Sequence, residues 1–141
     1  MERLIKDIVD DPAMPIHWGA NQKGMQADKE CDTPIQHDLG PVDRASAWLM
    51  GRDEAISLAR AFDAAGYHKQ IVNRLIEPFC HINVVVTATE WSNFFALRRH
   101  PDAQPEMRAL ADAIYFAMAE SKPIKLSPEG DWHLPYVTQE E

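Results

Sequence analysis

The sequence predicts a mostly helical α+β protein with a short buried strand set between helices, and three observations carry that prediction. Apolar residues recur at three- and four-residue spacing along most of the chain; residues 82–89 are instead rich in valine and threonine; and prolines and glycines mark the joins. With 141 residues the chain is long enough for one domain with a real core and too short for two comfortable ones. The expected organisation is therefore one domain over residues 1–120. A tail, residues 121–141, is expected to pack back on the body through Trp132, His133, Leu134, Tyr136 and Val137 and to fray at Gln139, Glu140 and Glu141.

Leu4, Ile5, Ile8 and Val9 share a helical face, and Pro12 closes that opening helix, because the residue before a proline avoids the helical region. Residues 13–40 hold prolines, glycines and polar residues without a sustained period, which reads as a long loop anchored by Trp18, either covering a substrate or contacting another subunit. Pro41 then suits the first position of a long helix, with Gly40 as cap, Asp43 in the first turn and Gly51 as a place where the helix can bend. Gly66 is a helix stop. The next helix starts at Tyr67, carries Ile71, Leu75 and the stem of Arg74 on one face, and ends at Pro78. After the strand at residues 82–89 comes an aromatic helix, and Pro105 opens the last one, whose stripe of Met107, Leu110, Ala111, Ile114, Ala117 and Met118 reads as core.

Composition excludes several functions. Lysine and arginine number 14 against 22 acidic residues, a formal charge of -8, which disfavours a nucleic-acid backbone as partner but leaves room for a small anion at a local cluster such as Arg98, Arg99 and His100. Cys31 and Cys80 lack metal-ligand spacing and read as free thiols of a reduced, cytoplasmic protein; no apolar run is long enough to span a membrane. Six histidines show no paired ligand spacing, so no metal is expected. Glu90 and Glu106 could be offered as an acid–base pair, yet carboxylates on surface helices are commonplace.

The most specific chemistry lies in residues 90–107, where Arg98 and Arg99 fall between two apolar helical segments. A guanidinium held at the edge of a core offers a planar fork of donors suited to a carboxylate, a phosphate or the edge of a pyrimidine; the plain alternative is a surface arginine paired to Glu77, Glu90 or Glu106.

The pattern Asn93-Phe94-Phe95-Ala96-Leu97-Arg98, followed by Ala103-Gln104-Pro105-Glu106-Met107, resembles the C-terminal motif of the flavin-dependent thymidylate synthases, the ThyX family. The segment from His68 to Phe79, with Arg74 four residues before Pro78, resembles a helix of the same family, and the valine run stands where the family has a strand. The flanking phrases at residues 11–19 and 132–137 resemble a divergent, phage-type branch. By that resemblance Arg98 is the catalytic residue that holds and polarises the uracil ring of dUMP, Arg74 and Gln104 join it in binding substrate, and Asn93 lies near the flavin. The implied cofactors are FAD, NADPH and methylenetetrahydrofolate, and the implied assembly is a homo-oligomer, a tetramer. The chain departs from the family pattern at Thr89, where relatives carry an arginine, and at Asp102, where they often carry histidine. The family's Arg-His-Arg signature is expected upstream of Met1, so the chain reads as the C-terminal part of the fold, completed by another chain or segment. The alternative reading is a non-catalytic structural or regulatory derivative without flavin.

Overall fold

The computed structural model describes residues 1–23, 29–127, 129, 130 and 132, so the contacts expected of His133, Leu134, Tyr136 and Val137 and the fraying at residues 139–141 lie outside the described residues. The chain divides into two compact units, Met1–Ile82 and Asn83–Glu141. The architecture is mostly helical with one small antiparallel sheet, as the fold class anticipated.

In the first unit, α1 (Glu2–Asp10) buries Ile5 and Ile8 against α2 (Arg44–Ala64) and α3 (Lys69–Ile76). Ile56 and Ala59 of α2, Val72 and Ile76 of α3, and Phe79 in the single 3₁₀ turn Glu77–Phe79 complete that core. Arg60 ties α1 to α2 by donating to both carboxylate oxygens of Glu2, at 3.3 and 3.1 Å. The buried stripe of α3 is Val72 and Ile76, not Ile71 and Leu75: Ile71 is 51% exposed and Leu75 only packs at the margin. Both pairs have four-residue spacing, and contact with α2 selected the second.

The C-terminus of α2 is closed by a Schellman motif. Gly66, at φ +85°, donates to the Asp63 carbonyl, Tyr67 donates to the Phe62 carbonyl, and the Phe62 and Tyr67 rings lie 4.9 Å apart across the cap. At the other end α2 starts later than Pro41 suggested. Asp43 is its N-cap and accepts from the amides of Ala45 (3.1 Å) and Ser46 (3.0 Å). Pro41 instead sits in β2 (Gly40–Val42), which pairs with β1 (Ile35–His37) around a two-residue turn. Gly40, at φ +110°, makes that turn possible, and Pro41 is tolerated because a two-stranded ribbon has only edges. Gly51 leaves α2 unbroken.

The long segment before the hairpin is ordered by aromatic and polar contacts where it is described. Trp48 of α2 donates to the Ala13 carbonyl (3.0 Å) and packs edge-on against both Trp18 and Phe79. Residues on either side of positions 24–28 pair through Ala20 to Lys29 and Cys31 to Trp18. Arg44 gathers the end of this arm, bonding the Cys31 carbonyl (3.1 Å) and pairing with Asp32 (2.7 Å) while it covers the Trp18 ring.

Residues 82–89 do not form the expected strand. They are irregular and exposed throughout, with Ile82, Val84 and Val86 at 81%, 64% and 63% exposure. Their β-propensity is genuine, but a strand exists only when a neighbour completes its ladder, and no described residue does so here.

The second unit contains α4 (Ser92–Arg98) and α5 (Pro105–Glu120), the latter opening on Pro105 at its first turn as anticipated. Of the stripe read as core on α5, Ala111 alone is fully buried, while Leu110 and Met118 remain 53% and 46% exposed. Two helices in contact bury only the shared seam.

Candidate functional site

The turn between α4 and α5 is built around His100. Its carbonyl accepts from the Ala103 amide (3.0 Å), which closes a β-turn with Pro101 at the second position, where its fixed φ is suited. The His100 side chain reinforces the turn, because Nδ1 accepts from the Asp102 amide at 3.2 Å. Asparagine and aspartate usually make this bond to the amide two residues on.

The two adjacent arginines at the end of α4 are used differently. Arg99 is fastened: its Nε donates to Asp112 on α5 at 2.6 Å, and its guanidinium carbon lies 3.7 Å from the centre of the Tyr115 ring. The Asp112 hydrogen bond is the main cause that raises the Arg99 pKa further above its ordinary value. Phe95 meets the same Tyr115 edge-on at 5.3 Å, so one ring clamps α4 to α5 from two sides. Arg98, one residue earlier, is rotated by about 100° around the helix. It is exposed, has no hydrogen-bond or ion-pair partner among the described residues, and lines an open groove of about 370 Å³ with Ala96, Leu97, His100, Asp102 and Ala103.

Of the other residues read from the sequence, Asn93 is exposed on α4, about 140° around the helix from Arg98. Gln104 caps α5 by position and is exposed; its carbonyl accepts from Arg108. Arg74 belongs to the first unit. It is exposed on α3, off the buried stripe, and its partner is Glu77 at a loose 4.0 Å. Arg98 pairs with neither Glu90 nor Glu106. Glu90 is occupied as a cap, accepting from the Ser92 amide at 2.6 Å, and the Ser92 hydrogen bonds hold its carboxyl below the usual range.

The sequence pointed to His100 only as part of a cationic cluster with Arg98 and Arg99; the turn it makes with Asp102 and the anchoring of Arg99 on Asp112 emerge from the structure. The His100 signal was present, since His-Pro-Asp-Ala has the turn proline at its second position. Among the described residues no cluster of three histidine, cysteine or carboxylate groups could hold a metal ion, and no helix is long and apolar enough to cross a membrane.

Comparison with known proteins gives one match. Residues 59–124, which run from the last turns of α2 through all of α3, α4 and α5, match the family described as thymidylate synthase complementing protein. No curated protein and no solved structure matches the chain.

Proposed function

We propose, from the match of residues 59–124 to the family described as thymidylate synthase complementing protein, that the chain binds dUMP through Arg98 and serves its conversion to dTMP. The observation that carries this reading is the contrast between neighbours: Arg99 is committed to Asp112 and Tyr115, whereas the Arg98 guanidinium is left with its donors free beside a groove. A guanidinium donates to the carbonyl oxygens of a uracil ring and stabilises the negative charge that gathers there when the ring is attacked. No nucleophile from the protein is needed for that role. Gln104 supplies an amide at the start of α5 for a second polar contact.

The family match implies FAD as hydride donor, with NADPH to reduce it and methylenetetrahydrofolate as carbon source. The described residues do not make a flavin site by themselves. Asn93 is a single exposed amide on a helix of seven residues, which does not suffice for a flavin ring and a pyrophosphate. The chemistry assigned to this chain is accordingly confined to the pyrimidine, with the flavin held by further groups in an oligomer, a tetramer of this chain or a complex with another chain, in the cytoplasm. A non-catalytic subunit that retains the helices without binding nucleotide is the competing reading.

Calorimetric titration of the purified protein with dUMP separates the two. Saturable binding that is lost in Arg98→Ala, with the melting temperature nearly unchanged, is the expected result, because the exposed Arg98 side chain makes no hydrogen bond or ion pair among the described residues. Protein that ignores dUMP overturns the reading, and a large drop in melting temperature for Arg98→Ala marks a structural arginine instead.

A further inference from the structure

Arg98, His100 and Asp102 are the ionisable side chains that line the groove, and one of them has two duties. It is the imidazole of His100, which lines the groove and at the same time holds the turn that follows α4. We propose that His100 is a positioning residue: its neutral ring, by accepting from the Asp102 amide through Nδ1, fixes the turn that presents Arg98, and protonation of the ring undoes this. The inference rests on the dUMP reading above and adds a proton-dependent control to the same site.

The argument is one of donor and acceptor identity. Nδ1 can accept from the Asp102 amide only while it carries no proton, so the turn selects the tautomer with hydrogen on Nε2. When the ring gains a proton, Nδ1 becomes a donor and the amide loses its acceptor. The new donor has a partner at hand, since the Asp102 carboxylate stands 3.5 Å from Nδ1. The turn therefore has two alternative arrangements, amide to neutral ring or charged ring to carboxylate, and only the first is the one that lines the groove beside Arg98.

An added positive charge could in principle draw an anionic nucleotide more strongly. Here it is exposed to solvent and set against the Asp102 carboxylate, so the local gain is small, whereas the bond that ties the ring to the turn amide is lost. The other charged groups of the region are Arg98 on α4, which shares the groove, Arg99, which is turned to Asp112, and Glu106 and Arg108 at the start of α5. The pH response assigned to the ring is thus a loss of uptake in acid.

His100→Asn and His100→Ala separate positioning from mere packing, because an asparagine side chain can accept from the amide two residues on and does not titrate, while alanine does neither. At about pH 8 the asparagine variant is expected to bind dUMP within about twofold of the parent and the alanine variant about fivefold more weakly, the effect of one neutral hydrogen bond. Affinities are then compared as the ratio of parent to His100→Asn, which cancels the titration of the nucleotide phosphate. That ratio is expected to fall as the solution is taken from about pH 8 to about pH 5.5. Nitrogen-15 spectra of the ring without ligand are expected to show Nδ1 unprotonated and Nε2 protonated at the higher pH. A ratio that rises in acid identifies the imidazolium as a direct anion contact and overturns the proposal, as do equal affinities for the two variants or the opposite tautomer. Failure of every form to bind dUMP overturns the nucleotide reading, and the role of His100 in uptake with it, while the ring spectrum still reports on the turn alone.

Discussion

Two arginines that follow one another in the chain end in opposite states because successive side chains on a helix leave about 100° apart. Arg99 projects toward α5 and is held there by Asp112 and the Tyr115 face; Arg98 projects away and is held by nothing described. A substitution at one is thus a test of binding and at the other a test of packing. The same distinction applies to the carboxylates. Asp43 is worth titrating because the Ser46 side chain and amide, together with the Ala45 amide, hold its carboxyl below the ordinary aspartate range. Its folded pKa is depressed, so the stabilisation is complete at neutral pH, starts to fade as pH drops below about 4 and is gone below the lowered folded value. Helicity followed by circular dichroism through that range is expected to fall in the parent and to lose this component in Asp43→Asn, which keeps the acceptor without the charge. Identical acid profiles for the two proteins count against Asp43 as the titrating cap.

At the scale of elements, ends are what the sequence specifies best. Gly66 and Tyr67 complete the cap of α2 through two backbone bonds and a ring contact with Phe62, and Gly66 can do so because it adopts φ +85° without a Cβ to obstruct it. Gly66→Ala is expected to cost roughly 1–2 kcal/mol in a denaturant titration, the penalty for an L-residue in left-handed backbone; a change near zero would mean that the cap re-forms in another geometry. Helix existence, the stop at Gly66 and the start at Pro105 were legible for this reason: each rests on chemistry within a few residues. What was not legible depended on distant partners. Ile71 with Leu75 and Val72 with Ile76 fit a helical face equally well, and only the position of α2 decides between them. Pro41 suits a helix start and an edge strand alike, and the stronger cap at Asp43 settled it. In the candidate site the motif singles out Arg98 as a candidate, whereas the freedom of Arg98 beside a fastened Arg99 required α5 in place.

Among the described residues, burial is concentrated in the first unit, where seven residues from α1, α2, α3 and the following turn form the core, while Ala111 alone is fully buried in the second. The arginine that carries the functional reading thus stands on the less consolidated part of the molecule, α4 being a helix of seven residues with none buried. An acidic total charge of -8 keeps such a chain dispersed by mutual repulsion, but that protection is unevenly spread. Residues 82–89 contain no charged side chain, no proline and no glycine; six of the eight are β-branched isoleucine, valine or threonine, all at exposed positions, and the other two are Asn83 and Ala88. Sticky, unguarded backbone of this sort is what fibrillar aggregates recruit, so concentrated or warmed solutions of the chain should turn cloudy through this segment first. A single lysine in place of Val85, which is 54% exposed, should delay the onset of light scattering while leaving the helical content unaltered.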